Sequence, residues 1–201
     1  MNGNLITNIH ATENRTLVTL DKIPANLQNA FIAVEDNRFY EHNGIDPRGI
    51  FRAIYSNLTS GEVAEGGSTI TQQLAKNAFL SQDRTFKRKI QEFFIALRLE
   101  RQYTKEEILE MYLNQIYFGR GAYGVQAAAQ TYFGKDVSQL DLSECAMLAG
   151  IPRSPNYYSP LNNLGAANER KAEVLDQMVK YGILILLQQL KQKLKVTTCK
   201  S

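Results

Sequence analysis

The sequence predicts a mainly α-helical protein. Proline is scarce, with five residues in 201, so few positions interrupt helical hydrogen bonding. Apolar residues recur at helical spacing, as in Leu27, Phe31 and Val34, which fall at i, i+4 and i+7. Residues 69–72 and 104–107 carry capping-box patterns, which predict helices beginning near residues 70 and 105.

The remaining elements follow from local patterns along the chain. We expect residues 1–22 to form an extended lead-in with one short strand at 16–20, and residues 23–181 to form the main domain. Residues 182–201 form a tail, for which we favour a packed or frayed terminal helix. Predicted helices cover the segment from Pro24 to Glu35, then approximately 47–60, a segment that begins near residue 70, and approximately 84–101, 105–119, 122–132, 141–150 and 166–180.

The helix predicted at 47–60 has the clearest apolar stripe. We expect this stripe to pack in the core, because most stripes of this kind do; a surface that faces lipid is the alternative. Its members are Ile50, Phe51, Ile54, Tyr55 and Leu58.

Composition excludes several classes of site. Two histidines and two cysteines cannot build a histidine-rich or cysteine-based metal site, and Cys145 is expected to be a small buried residue. No window reaches the roughly 18 apolar residues of a membrane span. The net charge of +3 and the absence of a recognised motif disfavour nucleic acid as a partner.

Glu35 is the first candidate for chemistry. In steps of four, Phe31 leads to Glu35 and then to Phe39, so a carboxylate falls in an apolar stripe. Apolar surroundings in general raise the pKa of a carboxyl group, which suits a general base near neutral pH. A Glu at a helix end that turns to solvent is the plain alternative.

A basic segment follows between residues 76 and 105. Only three acidic residues accompany its eight bases, so the segment suits a phosphorylated ligand; a solvated helix face is the alternative. Glu92 interrupts the segment, either as an ion-pair partner of Arg88 or as a second active-site carboxylate. The bases are Lys76, Arg84, Lys87, Arg88, Lys89, Arg98, Arg101 and Lys105.

Five motifs, in order, resemble those of the peptidoglycan glycosyltransferases, which form the polymerising domain of bifunctional penicillin-binding proteins and the monofunctional enzymes. The first is Glu-Asp-Asn-Arg-Phe-Tyr-Glu-His-Asn-Gly and the second is Gly-Gly-Ser-Thr-Ile-Thr-Gln-Gln. The motifs occupy residues 35–44, 66–73, 88–92, 105–114 and 149–160.

The resemblance implies a lysozyme-like, two-lobed helical domain, with a small membrane-proximal jaw lobe at about 45–66. It implies polymerisation of lipid II, a disaccharide-pentapeptide on undecaprenyl pyrophosphate, into β-1,4-linked glycan with inversion at C1. Lipid II, the growing strand, the membrane surface and other cell-wall synthesis proteins are the implied partners. The implied location is the extracytoplasmic face of the bacterial plasma membrane.

Motif positions imply roles for individual residues. Glu35 would be the general base and Glu92 the second catalytic carboxylate, which orients the basic groups or helps to hold a divalent cation, Mg or Mn, bound with pyrophosphate. Asp36 would support the loop. The implied substrate-binding residues are Arg38, Gln72, Gln73, Lys76, Arg84, Arg88 and Asn114.

Two other functions remain open at this stage. A glycan-cleaving lysozyme or lytic transglycosylase would share the fold, but cleavage has no pyrophosphate leaving group to explain the basic segment. A non-catalytic scaffold of peptidoglycan synthesis would not need Glu35. Because neither an anchor helix nor a transpeptidase domain is evident, we expect a monofunctional enzyme or a domain excised from a longer protein.

Overall fold

The computed structural model describes residues 16–60, 67–79 and 86–185. These ranges contain eight α-helices and no β-strand beyond an isolated bridge between Tyr117 and Tyr123, which confirms the mainly α prediction. The helices are α1 (Ala25–Glu35), α2 (Pro47–Ser60), α3 (Ile70–Phe79), α4 (Phe86–Gln102), α5 (Lys105–Gln115), α6 (Val125–Phe133), α7 (Leu142–Gly150) and α8 (Leu164–Lys180). Short 3₁₀ turns cover Leu20–Lys22, Val137–Gln139 and Ile151–Arg153.

Two groups of helices share one core. Helix α7 packs against α1 and α8, while α3 packs against α4 and α5. Every residue of α7 from Ser143 to Gly150 is buried, including Cys145, as predicted. Phe31 of α1 meets Tyr112 of α5 edge-on, with ring centroids 6.0 Å apart. This aromatic contact joins the two groups, since such pairs add favourable electrostatics to apolar burial.

The strand predicted at 16–20 is wrong. Residues 16–19 have no regular structure, and Leu20 begins a 3₁₀ turn. The Val18 backbone instead pairs with a side chain: its N–H donates to Asn114 Oδ1 at 3.0 Å, and Asn114 Nδ2 donates to its carbonyl at 2.8 Å. One amide side chain satisfies both backbone groups of Val18, so the segment stays extended without a partner strand.

Helix α5 ends at Gln115 rather than at Gly119 as expected. The chain reverses there, because the Gly124 N–H donates to the Ile116 carbonyl at 2.8 Å. A Cβ on Gly124 would lie 2.6 Å from the Asn114 carbonyl oxygen, so only glycine permits this close return of the backbone.

The apolar stripe of α2 lies on the surface, which corrects the expectation of core packing. Phe51 is 74% exposed, Leu58 is 79% exposed, and Ile54 and Tyr55 are also exposed. Helix α2 packs little against the other described helices, so nothing in the described chain covers this face. Residues 45–60 are the described part of the predicted jaw lobe, and residues 61–66 lie outside the described ranges.

Helix α4 shows the same arrangement. Phe86 and Ile90 are exposed, whereas the buried face carries Glu92, Ala96 and Leu99. Among the described helices, none combines the length and the apolar character that crossing a membrane requires.

The main domain closes with a Schellman motif after α8. Gly182 has φ +73°, its N–H donates to the Val179 carbonyl, and the Ile183 N–H donates to the Met178 carbonyl at 2.8 Å. Residues 183–185 are not helical, and Leu184 is buried. The predicted terminal helix otherwise falls on residues 186–201, outside the described part of the chain.

Candidate active site

A cleft opens at the carboxyl end of α1. Its walls are the end of α1, one side of α2, the segment before α3, the turn after α7, and one face of α8 with the residue that follows it. The cleft therefore lies where both helix groups meet the exposed helix α2. Its lining includes Glu35, Asp36, Asn37, Asp46, Gly49, Arg52, Gly67, Ser68, Thr69, Arg153, Arg170, Gln177 and Tyr181.

Glu35 is the last residue of α1, half-buried, and it faces this cleft. Gln73 Nε2 of α3 donates to Glu35 Oε2 at 2.8 Å. The Tyr112 hydroxyl of α5 donates to the other end of the same amide, Gln73 Oε1, at 3.3 Å. Three helices thus contribute to the position of one carboxylate, which is held by a hydrogen bond at one oxygen.

Asp36 supports the junction between α1 and α3. Its Oδ2 accepts the Ile70 backbone N–H at 3.0 Å, at the start of α3, where a carboxylate is favoured by the unpaired N–H groups of a helix. His42 Nε2 contacts both carboxylate oxygens at 2.9 Å. These contacts match the supporting role expected for Asp36.

The His42 contacts also define its tautomer. The Gly44 backbone N–H donates to His42 Nδ1 at 3.2 Å, so Nδ1 is an acceptor and the proton lies on Nε2, facing Asp36. Gly44 has φ +87°, and its carbonyl accepts the Thr69 hydroxyl at 2.6 Å. The first two sequence motifs are therefore locked together by buried hydrogen bonds.

Tyr112 is a neutral hydrogen-bond donor beneath the cleft. Its side chain is fully buried, and burial, together with the nearby negative charges of Glu35 and Asp36, raises its pKa well above the usual value for tyrosine. The hydroxyl consequently keeps its proton through the neutral range and can donate to Gln73.

Three arginines bring positive charge to the cleft: Arg52 of α2, Arg153 of the turn after α7 and Arg170 of α8. Sequence reasoning assigned a role to none of them. Arg153 lies within the fifth motif, which was the available signal, whereas Arg170 lies in a helix without a motif. Arg153 and Arg170 also line a second opening beside Glu35.

Arg170 is held in a specific place. It is 9% exposed, and its Nη1 donates to Glu173 Oε2 at 2.6 Å. A Cβ on Gly150 would lie 2.7 Å from Arg170 Cγ. The absence of a side chain at Gly150 therefore makes room for this arginine beside the cleft.

The predicted basic segment contributes at the edge of the cleft through a different residue. Lys89 Nζ donates to Ser68 Oγ at 3.0 Å and pairs with Glu92, which is 2% exposed. Ser68 lines the cleft, so the pair of Lys89 and Glu92 lies beside it. Lys76 is exposed on α3 and Arg88 half-buried on α4; neither is part of the lining, and Arg84 lies outside the described residues.

The other predicted binding residues make internal contacts. Arg38 pairs with Glu41 and with Asp46, and the hydrogen bond to Glu41 raises its pKa above the usual value. Gln72 caps α3, because Gln72 Oε1 accepts the Thr69 N–H and Thr69 Oγ1 accepts the Gln72 N–H. Asn114 binds Val18. None of Arg38, Gln72 and Asn114 lines the described cleft.

Comparison with known proteins identifies the family. The model of the family described as Transglycosylase matches residues 2–179, which is most of the chain.

This chain belongs to the transglycosylase family.

Its relatives in this family include much longer proteins. It is 51% identical over 183 residues to penicillin-binding protein 1F of Bacillus subtilis, covering 91% of this chain and 26% of that protein. It is 54% identical over 175 residues to penicillin-binding protein 1A of Escherichia coli, covering 87% of this chain and 21% of the relative. The chain spans about a quarter of the length of these relatives.

A solved structure shares the transglycosylase fold. The crystal structure of penicillin-binding protein 1A from Haemophilus influenzae matches 94% of this chain and 18% of its own, with a TM-score of 0.56 and 24% identity. Together, the matches confirm the family predicted from five motifs and the lysozyme-like helical fold class. At the level of the family, they confirm the predicted class of enzyme, a peptidoglycan glycosyltransferase.

Metal binding was the remaining expectation for this transglycosylase domain. Within the described residues, no group of three or more His, Cys, Asp or Glu side chains is arranged to hold a metal ion. A protein cage of carboxylates is therefore not found in that part of the chain.

Proposed function

We propose that this chain polymerises lipid II into β-1,4-linked glycan strands, with inversion at C1 and release of undecaprenyl pyrophosphate. The observation that carries the proposal is Glu35, held by Gln73 at the mouth of a cleft lined by Arg52, Arg153 and Arg170. A positioned carboxylate beside fixed cations suits a reaction that removes a hydroxyl proton and expels an anion.

The proposed reaction is a single displacement. Glu35 accepts the proton of the 4-hydroxyl on the acceptor's N-acetylglucosamine. That oxygen forms a bond to C1 of the terminal sugar of the growing chain, while the bond from C1 to the phosphate oxygen breaks and its electron pair leaves with the pyrophosphate. Glu35 Oε2 accepts from Gln73, so Oε1 is the oxygen assigned to the incoming proton.

Cations near Glu35 would bind the anionic groups of the two lipid-linked substrates. We assign Arg153 and Arg170 to this role because both line the two openings beside Glu35, and arginine forms paired hydrogen bonds with phosphate oxygens. Lys89, at the edge of the cleft, joins them. Lys76, Arg84 and Arg88 remain proposed contacts for phosphate beyond the described lining.

A divalent cation, Mg or Mn, would accompany the pyrophosphate. Magnesium is commonly bound by one or two carboxylates together with substrate phosphates, and Glu92 is the carboxylate that would contribute here. The Lys89 ion pair of Glu92 favours its second proposed role, which is to orient the basic groups. Removing divalent ions with a chelator and restoring Mg would separate these roles, since only the metal-binding role requires recovery with Mg.

The exposed apolar faces of α2 and α4 support contact with the membrane that carries the substrate. Phe51 and Leu58 on α2 and Phe86 on α4 are each more than 70% exposed, and large exposed apolar surfaces mark interaction sites. We propose that these faces rest on the extracytoplasmic surface of the plasma membrane. Lipid II would then enter the cleft from the side of α2.

Incubation with lipid II tests the proposal directly. The wild-type chain should convert lipid II into a polymer and release undecaprenyl pyrophosphate, and it should leave finished peptidoglycan intact. Shortening of finished glycan without polymerisation would instead support the glycan-cleaving alternative. Glu35→Gln should abolish polymerisation, and a fully active Glu35→Gln protein would refute the assignment of Glu35 as the general base.

The cation assignment has its own test. Arg153→Ala and Arg170→Ala should each lower kcat/KM for lipid II by about tenfold or more, the effect of losing a charge-assisted hydrogen bond. Arg101→Ala, which removes an exposed arginine in the last turn of α4, is the matched control and should change kcat/KM less than twofold. Equal kinetics in all three variants would remove Arg153 and Arg170 from the site.

A further inference from the structure

Tyr112 lies directly behind Gln73, on the side away from the cleft. Its hydroxyl donates to Gln73 Oε1 at 3.3 Å, and Gln73 Nε2 donates to Glu35 Oε2 at 2.8 Å. Tyr112 is 1% exposed and does not line the cleft. A buried phenol on α5 is therefore connected to the proposed base on α1 through one amide on α3.

The orientation of the Gln73 amide matters because its two ends are chemically opposite. Its NH₂ group can only donate and its carbonyl can only accept. With NH₂ toward Glu35, the amide stabilises an ionised carboxylate. With the carbonyl toward Glu35, it would stabilise the protonated form, which cannot accept a proton from the substrate.

Tyr112 favours the first orientation. When the amide carbonyl faces Tyr112, the phenolic proton has an acceptor. In the flipped orientation the NH₂ group would face the hydroxyl, and the phenolic proton would lose the acceptor that Gln73 Oε1 provides. A buried donor without an acceptor is unfavourable, so the phenol resists the flip.

We propose that Tyr112 is a positioning residue for the glycosyl transfer, which acts through Gln73 to keep Glu35 ionised and Glu35 Oε1 free for the acceptor's hydroxyl proton. This inference rests on the proposed function. It also changes the interpretation of Gln73, from a hydrogen-bond donor to the substrate to the link between Tyr112 and Glu35.

Two further facts support the assignment. The pKa of Tyr112 lies well above its usual value because of burial and the nearby acidic charges of Glu35 and Asp36, so the hydroxyl remains a donor through the neutral range. Glu35 shares the cleft with other charged or titratable groups, and a substitution of Tyr112 removes none of these groups. They are Asp36, Asp46, Arg52, Arg153, Arg170 and Tyr181.

The test begins with Tyr112→Phe, which removes one oxygen and keeps the ring. We expect kcat for lipid II polymerisation to fall about tenfold at neutral pH while KM stays within twofold. We also expect the acidic limb of the kcat profile, which reports the base in the bound complex, to move to higher pH. A merely structural role would not move that limb.

Tyr132→Phe is the matched control. Tyr132 is also fully buried, and its hydroxyl donates to the Phe118 carbonyl at 2.6 Å, outside the cleft lining. This variant loses one buried hydrogen bond as well, so it should lose comparable stability and keep the wild-type pH profile. An equal shift of the acidic limb in both variants would overturn the proposal.

A double-mutant cycle with Gln73→Leu tests the route. If Tyr112 acts through Gln73, adding Tyr112→Phe to Gln73→Leu should lower kcat less than twofold further. A full additional tenfold loss would overturn the proposed route. If Tyr112→Phe fails to fold by circular dichroism, the single variant Gln73→Leu decides: without the NH₂ group and with no added charge beside Glu35, this variant should move the acidic limb upward, and an unmoved limb would refute the proposal.

The outcomes separate the two levels of inference. A wild-type chain that does not polymerise lipid II would refute the proposed function. A wild-type chain that polymerises lipid II, with Tyr112→Phe indistinguishable from it in kcat and pH profile, would refute only the role of Tyr112.

Discussion

Glu35 and Asp36 are consecutive carboxylates, yet the junction of α1 and α3 gives them opposite environments. Glu35 faces the cleft, half-buried, with one oxygen bound to Gln73. Asp36 is 7% exposed and accepts from His42 and from the Ile70 backbone. One side of this junction remains open to a substrate, while the other is closed by protein contacts.

The different contacts of these two carboxylates explain how a site can be both rigid and reactive. A carboxylate whose oxygens are all occupied by protein donors stabilises the fold and has no oxygen left for chemistry. A neighbour with one occupied oxygen keeps the other available in a fixed direction. Helix α1 ends between the two residues, and their carboxylates bind different partners: Gln73 for Glu35, and His42 and the Ile70 N–H for Asp36.

Glu35→Gln removes the proposed general base on the open side of the junction and has the largest expected effect. Loss of a general base lowers catalysis by about 10²–10⁴-fold, whereas the free energy of unfolding should change by only about 0.5 kcal/mol. Lipid II polymerisation and urea unfolding measure the two quantities. Glu41→Gln, at an exposed carboxyl in the same motif, is the control and should keep most of the activity.

Asp36→Ala should remove the buried hydrogen bonds on the closed side of the junction. The change leaves His42 and the Ile70 N–H without their buried partner, so the free energy of unfolding should fall by about 3 kcal/mol. Asp21→Ala removes an exposed carboxylate and should change the free energy of unfolding by about 0.5 kcal/mol or less. Equal stability in the two variants would contradict the structural role of Asp36.

Gly44→Ala tests the backbone conformation on the Asp36 side of the junction. Gly44 has φ +87°, and a Cβ would lie 3.1 Å from the Ala96 carbonyl oxygen, so we expect a loss of about 1–3 kcal/mol. Gly165→Ala, in the first turn of α8, should be neutral or slightly stabilising, because its φ is ordinary and a Cβ would lie 3.6 Å from Asn163 Oδ1, a normal van der Waals contact. Thermal unfolding measures both, and the same shift in each would count against the strain argument.

A smaller effect is expected where the open side meets the membrane. Leu58→Gln on α2 should weaken binding to vesicles of anionic phospholipid by a few-fold and leave stability within about 0.5 kcal/mol, because Leu58 is exposed. Leu148→Ala on the buried helix α7 should instead lower stability by about 2–5 kcal/mol without a change in vesicle binding. Destabilisation by Leu58→Gln of the size seen for Leu148→Ala would show that the α2 stripe is core after all.

Much of the helical fold could be predicted because helices depend on neighbours three or four residues away. The capping boxes at Thr69 and Thr104 fix the starts of α3 and α5, and both are present in the structure. The resemblance of the first motif likewise implied different roles for Glu35 and Asp36.

The helices, their caps, the family and the carboxylate at the cleft could be predicted without coordinates, because these features depend on short-range spacing and on contiguous motifs. Only the tertiary structure decided which apolar stripes are buried and which cations meet Glu35. Arg153 and Arg170 are more than 100 residues from Glu35 in the chain, and α2 is exposed because little of the described fold packs on it. Such long-range proximity arises from packing, which periodicity within one segment cannot specify.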